Sequence, residues 1–94
     1  MMTETLSGDE FLAAAARGDS DAIKAALAAG ANADTQDAYG NTALMMAAAR
    51  GQREVCRALI EAGANTAHKN KYGLGPRNWA DWAEDGAHIR AMLG

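Results

Sequence analysis

The block Ala14-Ala15-Ala16-Arg17-Gly18 returns 33 residues later as Ala47-Ala48-Ala49-Arg50-Gly51, and Ala29-Gly30-Ala31-Asn32 returns at the same displacement as Ala62-Gly63-Ala64-Asn65. Two separate blocks obeying one offset are hard to obtain by chance, even in an alanine-rich chain. A fixed period of this size implies units stacked in a row, each burying one face against its neighbour. The composition agrees. The chain is 49% apolar, but 24 residues are alanine and only eleven are Leu, Ile or Val. Such a mixture suits helices packed closely through small side chains, within one domain spanning 1–94.

Within the period, helix signals recur in pairs. Ser7 and Glu10 form a capping box ahead of a helix that carries Phe11, Ala14 and Ala15 on one stripe. Gly18 breaks it, and Asp19 or Ser20 caps a second helix bearing Ala22, Ile23, Ala26 and Leu27. Gly30 falls where a helix end calls for positive φ. Turn formers (Asn32, Asp34, Asp37, Gly40) fill the stretch that follows. The next unit repeats this course. Thr42 caps a helix through Leu44, Ala47 and Ala48, Gly51 breaks it, and Val55, Cys56, Leu59 and Ile60 mark its second helix up to Gly63. A third unit opens with Tyr72-Gly73, matching Tyr39-Gly40, and runs through Trp79 and Ala80 to a last helix with Ile89, Met92 and Leu93.

Charge and cysteine content exclude several classes. Net charge is −3, and a general nucleic-acid binder normally carries a strongly positive face. Residues 50–77 hold six bases against two acids, so the surface is polarised. The run Arg50, Arg53, Arg57 reads first as a solvated face and second as a patch for an acidic partner. A single cysteine, Cys56, forms no intramolecular disulfide and sits on an apolar stripe as a small buried hydrophobe. The N-terminus lacks the basic and apolar regions of a secretory signal, and no apolar run reaches the ~18 residues of a membrane span. A cytoplasmic protein without membrane contact is expected.

Catalysis finds no foothold. His68 and His88, the only histidines, fall at turn or helix-edge positions expected to be exposed, far from Cys56 in sequence. That is not zinc-ligand spacing. The glycines are isolated at helix ends and form no phosphate-cradling loop. Acid pairs such as Asp19/Asp21 and Glu84/Asp85 fall at helix starts, where they favour the helix dipole. No catalytic residue, cofactor or metal is expected.

The stretch Asp37-Ala38-Tyr39-Gly40-Asn41-Thr42-Ala43-Leu44, continuing through Ala47-Ala48, Gly51, Val55, Leu59-Ile60 and Gly63-Ala64-Asn65, resembles a complete ankyrin repeat. That family's pattern is D-x-x-G-x-T-P-L-H-x-A-A-x-x-G followed by an apolar helix ending in G-A-D or G-A-N. The resemblance divides the chain into an N-terminal repeat (4–36), a full repeat (37–69) and a truncated C-terminal repeat (70–94). It implies a mostly α solenoid of paired antiparallel helices with β-hairpin-like loops. Departures are specific. Ala43-Leu44-Met45 stands for Pro-Leu-His, so Met45 is expected in the core and the histidine's bond to a neighbouring turn is lost. The third repeat has Gly75-Pro76 for Thr-Pro, and Glu84 replaces the loop glycine. Ile89 then matches either Val55, with one inserted residue, or Cys56, with none.

The resemblance also implies a function: recognition of another protein through a concave groove lined by hairpin tips and first helices. By position, the tips are Ala38, Tyr39 and Asn41, then Lys71, Tyr72 and Leu74. The inner rows are Ala13, Met46 and Trp79, and Ala16, Ala49 and Trp82, with Arg17 and Arg50 beside them. Expected partner contacts are therefore Tyr39, Asn41, Met46, Arg50, Lys71, Tyr72, Leu74, Trp79 and Trp82. Aromatic side chains and Arg are enriched at binding hot spots. A terminal repeat must also cover the core, and one Trp is often spent on that; Trp82 is the better groove candidate. The tyrosines suit partner contact and hairpin packing equally. An adaptor, inhibitor or immunity-type antagonist, monomeric when free, is the expected role. The alternatives are a non-catalytic fragment of a larger enzyme and a self-assembling structural subunit.

Overall fold

A computed structural model describes residues 7–93. Six helices follow in order: α1 (Gly8–Arg17), α2 (Ser20–Ala28), α3 (Ala43–Ala49), α4 (Arg53–Glu61), α5 (Pro76–Ala80) and α6 (Gly86–Leu93). The odd-numbered helices pack side by side in one layer and the even-numbered ones in a second. Each pair is an antiparallel helical hairpin stacked on the next. The hairpin equivalent of the first repeat falls largely before residue 7, outside the described residues.

Local chemistry sets the helix starts. Ser7 Oγ accepts from Glu10 N–H at 3.2 Å while Glu10 Oε1 accepts from Ser7 N–H at 2.8 Å, the capping box read from sequence. Asp19 caps α2 through Ala22 N–H at 3.1 Å, and Thr42 caps α3 through Met45 N–H at 3.4 Å. At the far ends, Gly30 and Gly63 have φ of 99° and 89°. Nothing lies within 4 Å of a Cβ built on Gly63, so only its backbone conformation resists a side chain. Gly63→Ala is expected to cost roughly 1–2 kcal/mol, the penalty for an L-residue in the left-handed region. A change of a few tenths in denaturant melts would show that the helix end relaxes freely.

Alanine explains how the first-helix layer closes. Ala14, Ala47 and Ala80 occupy the same place in successive repeats and all three are 0% exposed. Methyl groups let neighbouring helices approach, while Phe11, Leu12, Ile23, Leu44, Val55, Leu59 and Ile89 fill the space between layers. Met45 is fully buried, as expected for the core. Ile60 is half-buried and packs against the edge of the core, like Leu27 at the equivalent position. Cys56 is buried, and that burial, with a smaller contribution from the Asp85 charge, pushes its thiol up to about 12. It is a packing residue with little thiolate at neutral pH.

The third repeat differs where the loop glycine is missing. Gly18 and Gly51 end α1 and α3 with φ of 80° and 68°, and no described non-glycine residue has positive φ. Glu84 therefore does not make that turn. The chain leaves the helix at Ala80 instead and descends through tight turns, with Trp82 N–H bonded to Trp79 O and Ala83 N–H to Ala80 O. Trp82 stands on this descending segment rather than on the helix row with Ala16 and Ala49. The following helix regains register. Ile23, Cys56 and Ile89 each donate the backbone N–H bonded to the carbonyl of Asp19, Gln52 and Asp85, each pair at the same 33-residue step. Ile89 thus matches Cys56 with no inserted residue.

Candidate binding groove

The hairpin tips are built by one device used twice. Asp37 Oδ1 accepts from the N–H groups of Tyr39 and Asn41, both at 2.9 Å, and Asp37 N–H donates to Asn41 O at 3.0 Å. Thirty-three residues on, Asn70 Oδ1 accepts from Tyr72 N–H at 2.8 Å and Leu74 N–H at 3.0 Å. Each side chain closes a turn that would otherwise leave two N–H groups unpaired. A bridge between Gln36 and Thr42 completes the middle hairpin. Burial alone would raise the Asp37 carboxyl, but the bonds from Asn41, Tyr39 and Gly40 outweigh it and hold the carboxyl below its ordinary value.

Neighbouring tips are then tied to each other. Lys71 N–H donates to Tyr39 O at 2.9 Å, and Asn70 Nδ2 donates to Asn41 Oδ1 at 2.8 Å. The second bond accounts for Asn where the middle repeat has Asp, because a carboxylate at 70 has no proton to give. His68 overturns its expected exposure. It is half-buried, with Nε2 3.0 Å from Gly40 O. A carbonyl only accepts, so Nε2 carries the proton. This contact supplies from the loop an inter-repeat bond of the kind lost with Met45.

This scaffold presents the aromatic residues. The rings of Tyr39 and Tyr72 stack with centroids 6.4 Å apart and planes inclined by 27°. Trp79 and Trp82 form a second pair, 5.1 Å apart and tilted by 53°. Tyr39, Asn41, Tyr72, Leu74, Trp79 and Trp82 line one shallow groove of about 400 Å³ together with the buried Asn70. Tyr39, Tyr72 and Trp82 are 55%, 70% and 68% exposed, whereas Trp79 is half-buried where it lines the groove. The Trp82 segment is braced on both sides. Asp81 pairs with Arg90 of α6, and Asp85 pairs with Arg53 of α4 at 2.6 Å. The hydrogen bond from Arg53 holds the Asp85 carboxyl below its usual range.

Six of the nine residues expected to contact a partner thus converge. Arg50 lies beyond Trp82, in an adjoining depression of about 540 Å³ that also contains Arg53, Glu84 and Asp85. Met46 is half-buried against the core, and Lys71 is exposed at the tip; neither lines the groove. Sequence reading missed Asn70 and His68. The 33-residue match of Asn70 to Asp37 was the available signal for the first; for His68 the sequence offered none. Among the described residues no three His, Cys, Asp or Glu side chains are grouped to hold a metal ion.

The sequence matches the family model for ankyrin repeats, in three copies, over residues 5–86. No curated protein matches it significantly. Three stacked helical hairpins with αL glycines at helix ends and cross-bonded tips, and a match over most of the length, place the chain in the ankyrin-repeat family.

Proposed function

We propose that this chain binds a partner protein through the groove formed by its hairpin tips and first-layer helices, in the C-terminal half, and performs no chemistry of its own. Ankyrin repeats are in general modules of protein–protein interaction and typically non-catalytic. One observation carries the finer reading. Among the described residues the large apolar side chains left exposed are Tyr39, Tyr72 and Trp82, and all three line the same groove. Scattered exposed apolar residues need no explanation, but aromatic rings gathered in one concavity do. A small module of this kind fits an adaptor, inhibitor or immunity-type antagonist, monomeric until it meets its partner. No described helix is long and apolar enough to cross a membrane.

The test is a crosslinking pull-down from the native host with the wild-type chain, followed by Trp82→Ala and Tyr72→Ala. Each truncation is expected to weaken partner binding by about 2 kcal/mol or more, roughly 30-fold. Both residues are more than two-thirds exposed, so melting temperatures should stay near wild type. Two folded variants with undiminished binding would move the site to the convex helices or the Arg53/Arg57 face. Size that grows with concentration in the absence of any partner would favour self-assembly instead.

A further inference from the structure

With the groove taken as the binding surface, the state of its polar groups narrows what it accepts. Asn41 Nδ2 donates to Asp37 Oδ2 at 3.1 Å, Asn41 Oδ1 accepts from Asn70 Nδ2, and Asn70 Oδ1 already holds two N–H groups. Both amide oxygens are thus already engaged within the hairpins, Asn70 Oδ1 twice and Asn41 Oδ1 once. What remains supplies donors: the indole N–H groups of Trp79 and Trp82, which only donate, and the hydroxyls of Tyr39 and Tyr72, which donate and also accept. Trp79 Nε1 is buried and has no partner among the described residues, an orphan donor that a ligand carbonyl would satisfy once the indole turns toward the groove. Among the described residues no carboxylate lines the groove.

A complementary ligand brings acceptors with few donors, flat apolar rings for the aromatic faces, and no positive charge. A helix engages its own carbonyls, and a strand brings an N–H for almost every C=O. A methylated ammonium would find ring faces but no carboxylate beside them. A polyproline-II segment meets every requirement. Its carbonyls are unbonded, proline has no N–H, and its rigidity lowers the entropy lost on docking. With three residues per turn and ~3.1 Å rise per residue, prolines at i and i+3 share a face about 9 Å apart. We propose that the groove takes an extended proline-containing segment of the partner protein, its prolines seated on the Tyr39–Tyr72 and Trp79–Trp82 pairs. This rests on the groove reading above and deepens it.

The experiment is selection of a random dodecapeptide display library on the full chain. Selected peptides are synthesised and titrated against the wild type and against Tyr72→Ala/Trp82→Ala, with indole N–H resonances recorded. Enrichment of prolines three positions apart is expected, with each Pro→Ala change weakening binding about 10-fold or more. The double variant should lose at least about 30-fold while remaining folded. The Trp79 indole N–H resonance should move downfield as it gains an acceptor. Groove-dependent peptides without proline, whether lysine-rich or amphipathic, would overturn the proline assignment and leave the groove reading standing. Peptides indifferent to the double variant, or no enrichment at all, would overturn both.

Discussion

Leu59→Ala is expected to remove about 2–5 kcal/mol of stability, the range for truncating a buried leucine. Leu59 is 0% exposed on α4, in the layer shared with Leu44 and Val55. The methyl groups of neighbouring alanines have no rotamers with which to fill the space vacated, so little of the cavity should close. A domain of this size typically holds roughly 5–15 kcal/mol in all. The variant should therefore melt at least about 10 °C lower. Ile60→Ala, one residue on but half-buried, is the internal control and should cost visibly less. A Leu59→Ala loss below about 1 kcal/mol in denaturant melts would mean that the two layers do not close around this side chain.

The second large effect concerns Gly86, buried as the first residue of α6. A Cβ built there collides with the Ala80 carbonyl oxygen, and the Arg90 guanidinium is close behind at 3.3 Å. The obstacle is the backbone of α5, which has no rotamer to escape into. Helix propensity alone would favour alanine over glycine by about 1 kcal/mol, so destabilisation by Gly86→Ala isolates the clash. A net loss of roughly 2–3 kcal/mol is expected, near the upper end for overpacking. Because the shift would be transmitted to residues 81–85, any partner binding through the proposed Trp82 contact should fall as well. A variant as stable as wild type would show that α6 can withdraw from α5 without penalty.

The layered architecture was legible because its signals are local and periodic. Ser7 with Glu10, Asp19, Thr42, Gly30 and Gly63 act within a few residues of their place in the chain, and the 33-residue offset copies them. The end of α5 was less legible. The absence of a glycine at 84 was visible, but the response to it, an earlier exit from the helix, depends on tertiary packing. That response moved Trp82 off the helix row while leaving Ile89 in register with Cys56. The groove was partly legible. Tyr39 and Tyr72 could be placed at tips by repetition alone, yet whether their rings stack on each other or on the core is decided by the Lys71–Tyr39 and Asn70–Asn41 bonds between hairpins. Met46 and Lys71 show the limit of carrying positions across. A shared repeat position fixes a backbone location, while the length and neighbours of the side chain decide which way it turns. His68 reaches Gly40 over 28 residues, a contact no short-range pattern encodes.

Ala14, Ala47 and Ala80 act like the joints between the stones of an arch. Their thickness sets the spacing of the first-layer helices, while the side chains between the layers set the spacing of the second. The difference between the two spacings is the curvature of the whole surface. A larger residue at any one of the three would open the first layer at that joint and tilt every unit beyond it. The distance between the Tyr39–Tyr72 tips and Trp79–Trp82 is therefore governed from the far side of the groove floor, by residues that lie outside the proposed contact surface. The shape of the groove can therefore drift through single methylene changes in the alanine row while the residues that line it stay the same.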